Sequence, residues 1–501
     1  MERKLVLRNM VTSFILQVVT IVSGFVVPKI ILNYFGSDVN GLVSSITQFL
    51  SYIQLIEGGL GSVILAALYK PLSDGDNQRI SGIVNATDSF FKKIGFIYII
   101  YMILLGVVYP IVVDAPYSNI YIFGLVIVLG MNLFAQYFFS ITYRLLLNAD
   151  RKVYVISLTQ TAIVTVNMIL VVVCAKVFND ILIIKAASAI VFFIAPVVFN
   201  IYVSKHYYLD KTVEKDRGAL KQRWDGFGIN LAYFIHSNTD IVILTFLSTL
   251  ANVSVYSIYL MIVKAIRNLV MSVSNAITPS FGKALAGGDQ KEINWKFDLY
   301  EFGMTFVTVI SFVCGMVLIT PFVSVYTNNI TDANYHQPLF GVMLVISEMV
   351  YCLRDPYVSA AYSAGRFKQI SKYAYGEAIL NIVVSLALVK QLGILGVAIG
   401  TVVGMTFRMV TQALYLQKHI LYRRISKFLK MLLFATIIST ATLIAFNQTT
   451  AAIYSSYILW IFKAICVFVF TSIFTALLSS IFYKKEFDNI IGNRIKSLIH
   501  K

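Results

Sequence analysis

Apolar stretches recur along this chain near residues 10–32, 40–66, 94–113, 119–147, 153–175, 181–204, 227–250, 253–281, 299–320, 338–363, 372–389, 393–416, 429–447 and 456–482. Most match the roughly 20 residues that a helix needs to cross hydrocarbon. Within a bilayer only helices and closed barrels satisfy every backbone polar group. Barrel strands would alternate over about ten residues, a pattern these continuous runs lack. The chain therefore reads as an all-α integral membrane protein of about fourteen transmembrane helices. Charged residues make up 13% of it, against about 25% in soluble domains. The start, Met1 to Arg8, resembles a signal-peptide n-region. The apolar run behind it continues past any small-residue cleavage site, so it is expected to remain as the first span.

The net charge of +17 sits in short loops, which excludes a nucleic-acid partner in favour of the bilayer. With the N-terminus placed inside, 32 of the 41 Lys and Arg fall on the cytoplasmic side. Four (Lys29, Lys176, Lys185 and Lys390) fall on the opposite side. Five (Lys264, Arg267, Arg354, Arg408 and Lys463) lie inside spans. This bias orients the chain as a multi-pass membrane protein with an even number of spans and both termini cytoplasmic. Reporter fusions after Thr249 and Asn447 should read external, and fusions after Arg217 and Lys485 internal. An external signal at Arg217 would overturn the topology.

The motif KPLSDGD (Lys70–Asp76), followed by Ile80, reappears as KALAGGD (Lys283–Asp289), followed by Ile293, at an offset of 213. Tyr202, Lys205 and His206 reappear as Tyr415, Lys418 and His419 at the same offset. Arg151 and Arg366 correspond at 215, Lys176 and Lys390 at 214. This order of matches implies a duplicated six-helix lobe in parallel repeat. The expected organisation is a lobe over 1–204, a cytoplasmic linker over 205–226, a second lobe over 227–425, and two extra helices with a tail over 426–501. The linker's charge run suits either recognition of acidic lipid headgroups or a solvated connector.

One span departs from the rest. Ser254–Lys283 is long enough to cross the bilayer yet carries Lys264 and Arg267 near its middle. Each costs about 2.5–3.5 kcal/mol at bilayer centre, and at i and i+3 they share a face. That face is expected to look into a wet or anion-holding cavity. The alternative is a structural one, in which the two cations pair with Asp240 or Glu57 to hold helices together. In the seventh span His236 and Asp240 stand at i and i+4 and could bind a coupling H⁺ or Na⁺, or simply pack. Glu57, Glu348 and Asp355 are further intramembrane acids; Asp355 reads as a structural partner. The four cysteines lie in apolar segments without ligand spacing, so neither a disulfide framework nor a zinc site is supported; no cofactor is expected beyond a possible H⁺ or Na⁺ gradient.

The N-terminal pattern includes Asn9 to Phe14, Pro28, Tyr34-Phe35-Gly36, Asn40-Gly41-Leu42 and Leu60-Gly61; Gly393 to Thr401 follows late in the chain. In these features the chain resembles the Wzx-type polysaccharide (O-antigen) flippases. Their superfamily, the multidrug/oligosaccharidyl-lipid/polysaccharide exporters, also holds drug extruders and lipid II flippases. The resemblance implies a non-enzymatic flippase that moves undecaprenyl-diphosphate-linked oligosaccharide from the inner to the outer leaflet of the bacterial cytoplasmic membrane by alternating access of two lobes, alongside other polysaccharide-assembly membrane proteins. It places the cationic lining on Lys264 and Arg267, and further on Arg354, Arg408 and Lys29. Ion coupling falls to Asp240, His236 and Glu57. At the repeat positions of Lys264 and Arg267 the first lobe offers only Ser51 and Gln54. The first-span carboxylate of many drug extruders is missing. A multidrug exporter, a lipid II flippase and a membrane polysaccharide polymerase or ligase are the rival readings.

Overall fold

The computed structural model describes residues 2–57, 60–216, 218, 227–450 and 452–489; side chains at 2, 3, 62, 227–233 and 235–237 lie outside the description. The main helices are α1 (Glu2–Ser51), α2 (Leu60–Asp74), α3 (Asn77–Val112), α4 (Asn119–Ala135), α5 (Ile141–Ala149), α6 (Val153–Val177), α7 (Ile181–Phe192) and α8 (Ile194–His206). They continue as α9 (Phe227–Leu247), α10 (Leu250–Gly287), α11 (Gln290–Tyr326), α12 (Pro338–Ser363), α13 (Phe367–Leu392), α14 (Ile394–His419), α15 (Ser426–Ala445) and α16 (Tyr457–Phe482). No strand occurs among the described residues. Among the described residues, eleven helical runs are long and apolar enough to span a membrane. The other three sequence-derived stretches are accounted for individually. Residues 40–66 begin inside α1, which bends at Gly36 (φ 80°). Residues 227–250 hold α9, of which Asn238–Leu247 is a shorter apolar helix. Residues 338–363 form α12, continuous but carrying Glu348, Arg354 and Asp355.

Helices α3, α10 and α11 have 36, 38 and 37 residues. At 1.5 Å per residue each exceeds the roughly 30 Å hydrocarbon core. The surplus carries Arg79, Lys92 and Lys93 on α3, Lys283 on α10, and Lys291 and Lys296 on α11.

The chain forms two compact units. The first comprises Met1–Phe234 with Thr249–Ser254, the second Ile235–Ser248 with Val255–Lys501. The repeat read from sequence is structural in each unit. Gly75 and Gly288 take φ of 70° and 77°, the left-handed conformation that glycine adopts without steric cost. Asp76 and Asp289 then cap the next helix, accepting from the amides of Arg79 and Lys291, both at 2.9 Å. His206 stacks on Tyr202 at the end of α8, and His419 on Tyr415 at the end of α14, with ring centroids 4.1 and 4.5 Å apart. Arg151 aligns with Gly365 instead of Arg366: both have positive φ, at 57° and 68°, just before α6 and α13.

In the second unit α11 is the central helix, and most of its apolar stretch is buried. The two helices beyond the repeat attach to it: Trp460 of α16 donates its indole N–H to the Leu318 carbonyl at 3.2 Å and packs edge-on against Phe322. Outward-facing apolar side chains, such as Phe96 and Ile100 on α3 and Phe462 and Ile465 on α16, are exposed. An apolar exterior of that extent suits lipid, not water. The chain is a multi-pass membrane protein.

Past α8 the chain folds back onto the start of α3. Asn85 Nδ2 donates to the carbonyls of Asp210 (2.9 Å) and Val213 (3.1 Å), and Ser81 Oγ accepts from the Asp210 amide (3.0 Å). Hydrogen bonds from the Thr212 hydroxyl and amide hold the Asp210 carboxyl below the usual carboxylate range.

Candidate functional site

The second unit carries a row of ionisable side chains across α9, α10, α12, α13 and α14. On α10, Arg267 Nη1 donates to both oxygens of Glu348 on α12, at 3.1 and 2.9 Å. The sequence expected Asp240 or Glu57 as the structural partner of the α10 cations. Lys264, one turn away, makes no hydrogen bond or ion pair with any described residue. Both cations line a small cavity with Asp240, Tyr256, Ser347, Glu348 and Thr401. Its volume is about 20 Å³, room for one water, so a larger ligand enters only if the walls separate.

Arg354 and Arg408 lie elsewhere in the row. Arg354 Nη1 (α12) and Arg408 Nη1 (α14) donate to the two oxygens of Glu377 (α13), at 2.7 and 2.6 Å. The arginines are 3% and 4% exposed and the glutamate 0%, so neither guanidinium meets a ligand in this conformation. A glycine stripe explains the closeness. Gly396, Gly400 and Gly404 repeat every fourth residue along α14 and face α13. A Cβ at Gly400 would stand 2.1 Å from Ser385 Oγ, and one at Gly404 2.7 Å from the Glu377 carbonyl. Arg408, one turn further, therefore reaches Glu377. The Tyr351 ring connects the two ion-pair groups, with the Arg267 and Arg354 guanidinium carbons 5.0 and 4.7 Å from its centroid.

Asp240 is buried on α9. Its Oδ2 accepts from Tyr256 (2.6 Å) and Thr401 (2.8 Å), and Thr401 Oγ1 in turn accepts from Asn381 Nδ2 at 3.1 Å. A carboxylate held by hydroxyls from two helices can take up a cation or a proton. The side chain of His236 lies outside the described residues. Asp355 accepts from Ser274 and from Tyr300, the structural role its sequence position suggested.

Lys29 and Glu57 belong to the first unit, not to this row. Lys29 is half-buried on α1 beside Pro28. Glu57 Oε2 accepts from Tyr137 at 3.2 Å. At the repeat positions of Lys264 and Arg267 the first unit breaks its helix: α1 ends at Ser51, and a short turn of helix restarts at Gln54. The second unit runs α10 unbroken through the same place.

Two members of the row escaped the sequence reading, Glu377 and Tyr351. A lone carboxylate in the apolar helix Phe367–Leu392 was the available signal for Glu377. Nothing in sequence marks Tyr351, one of 30 tyrosines.

No protein-family model and no curated protein matches the chain in sequence. Solved structures do match in fold. The lipid II flippase MurJ in an inward closed conformation superposes with a TM-score of 0.69 over 95% of this chain and 98% of that one, at 14% identity. The MATE multidrug transporter DinF-BH gives 0.60 over 84% and 97%, also at 14% identity. An inward-facing multidrug resistance MATE family transporter of the MOP superfamily gives 0.57 over 79% and 93%, at 14% identity. The chain has the fold shared by these flippase and exporter structures.

Proposed function

We propose that this protein is a flippase for a lipid-linked anionic substrate, of the class of undecaprenyl-diphosphate-linked oligosaccharides, and works by alternating access. Lys264 carries the reading: a mid-membrane ammonium with no ion pair or hydrogen bond among the described residues, beside a guanidinium, in a lined cavity. An intramembrane cation left in that state is expensive unless something anionic visits it. Lysine supplies a mobile point charge and arginine a planar fork, the pair of donors that suits a diphosphate. Arg354 and Arg408 serve structure, locked to Glu377. The fold match to a lipid II flippase supports a lipid-linked substrate, and the matches to multidrug transporters supply the rival.

The test is transport in liposomes holding the purified protein. Fluorescent undecaprenyl-diphosphate oligosaccharide should cross leaflets, and cationic dyes should not accumulate. Dye transport without lipid scrambling or flipping would reverse the assignment.

Asp240 is the proposed coupling site. Two acids (Asp240, Glu348) face two cations (Lys264, Arg267) in the cavity. A proton or Na⁺ on Asp240 leaves that set net positive and favours anion entry. Asp240→Asn should abolish the gradient dependence of transport while lipid-diphosphate binding persists. Unchanged gradient dependence would remove Asp240 from the coupling role.

A further inference from the structure

The joint where the chain returns to the start of a long helix occurs in both units, at the same offset of 213 residues, but it is built differently. In the second unit Asp298 and Glu301 on α11 are neutralised by Arg423 and Lys427. In the first unit the corresponding positions are Asn85 and Asp88 on α3, and Asp210 stands where Arg423 does. There the joint is held by amide-to-carbonyl bonds instead of ion pairs. Beside it opens a pocket of about 450 Å³ lined by Asp88, Lys92, Lys93, Lys211 and Lys215 with Asn85, Ser89, Tyr143 and Phe96.

One carboxylate here faces four ammonium groups. Lys92 uses that carboxylate, pairing with Asp88 at 2.8 Å. Lys215 donates to Ser89 Oγ at 3.1 Å. Lys93 and Lys211 make no ion pair or hydrogen bond with any described residue. The pocket lies where α3 enters its apolar span, at residue 94, on the side favoured by the Lys/Arg asymmetry. Phe96, Ile100 and Ile103 follow at i, i+4 and i+7, all exposed, so an apolar track runs into the membrane from the pocket rim. A soluble phosphate would use only the lysines. A lipid would use both features.

We infer that this pocket binds the phosphate of an anionic glycerophospholipid of the inner leaflet, with an acyl chain along Phe96, Ile100 and Ile103, and thereby pins residues 207–216 to α3. Anionic headgroups attract clustered lysines at this depth, and in the second unit, whose joint is neutralised internally, Thr305, Phe306 and Phe428 stand at the places of Lys92, Lys93 and Lys215.

The experiment is native mass spectrometry of the full chain with phosphatidylglycerol or phosphatidylcholine titrated into detergent micelles. Wild type should retain phosphatidylglycerol preferentially. Lys93→Gln with Lys211→Gln should weaken that retention at least tenfold, whereas Lys368→Gln with Lys372→Gln, an exposed basic pair in the second unit, should not. Equal loss in both pairs would reduce the effect to general surface charge and overturn the site. Displacement by millimolar inorganic phosphate or glycerol 3-phosphate would show that the acyl track contributes nothing, and would equally overturn it. Stronger retention of undecaprenyl diphosphate than of phosphatidylglycerol would assign the pocket to the transported lipid and refute a glycerophospholipid site. Both variants alter exposed side chains, and thermal melting compared with wild type confirms their fold.

Discussion

Glu377→Gln is expected to destabilise the second unit by about 3–5 kcal/mol, the cost of removing one partner from a buried ion pair. The reason lies in the count at this point: two guanidinium groups share one carboxylate, and all three are almost entirely enclosed. Amide replacement keeps the shape but leaves two positive charges without compensation in a low-dielectric interior. The effect should appear as a large fall in melting temperature in detergent, and as lower yield in the membrane. Replacing all three together by apolar residues of similar volume, Arg354→Met, Glu377→Leu and Arg408→Met, should recover much of the loss, because buried ion networks often give little net stability over well-packed apolar groups. If Glu377→Gln melted like wild type, the triad would not be the clamp between α12, α13 and α14 described above. If the triple variant melted well and still transported, Arg354 and Arg408 would have no part in substrate contact.

Much of this architecture was legible because a bilayer imposes its dimensions on sequence. Apolar runs and the 213-residue repeat each report on one physical constraint. The repeat held down to a glycine φ and a histidine stacked on a tyrosine. The candidate site was legible only in part. Lys264 and Arg267 announced themselves by the cost of charge at mid-membrane, but which acid each would meet depends on helix rotation and crossing. Sequence offered Asp240 and Glu57 as partners, and packing gave Arg267 to Glu348. Arg354 and Arg408 looked like further lining, since only the close approach of α13 and α14 reveals that Glu377 consumes both. The break at Ser51 is a tertiary matter too, since its sequence neighbours are ordinary helix formers.

The pairing of Arg267 changes how the cationic site has to be probed. Arg267→Gln removes a phosphate donor and also strands Glu348, so lost activity in that variant mixes two causes. Combining it with Glu348→Gln removes the stranded charge and isolates the phosphate contact. Arg267→Lys should keep part of the binding, since charge survives while the fork is lost. Lys264→Gln is the clean variant: it leaves no acid without its hydrogen-bonded partner, and it relieves an insertion cost of about 2.5–3.5 kcal/mol. The protein should insert and fold at least as well as wild type. Binding of an anionic lipid diphosphate should nevertheless fall, because a charge-assisted hydrogen bond is worth about 1.5–3 kcal/mol, or roughly ten- to a hundredfold in affinity.

That affinity, measured on purified and folded Lys264→Gln against wild type with undecaprenyl-diphosphate-linked oligosaccharide as ligand, is the direct test of the flippase reading. The account predicts at least a tenfold weaker Kd at equal folded concentration and equal or higher melting temperature. Wild-type affinity in the variant would contradict it.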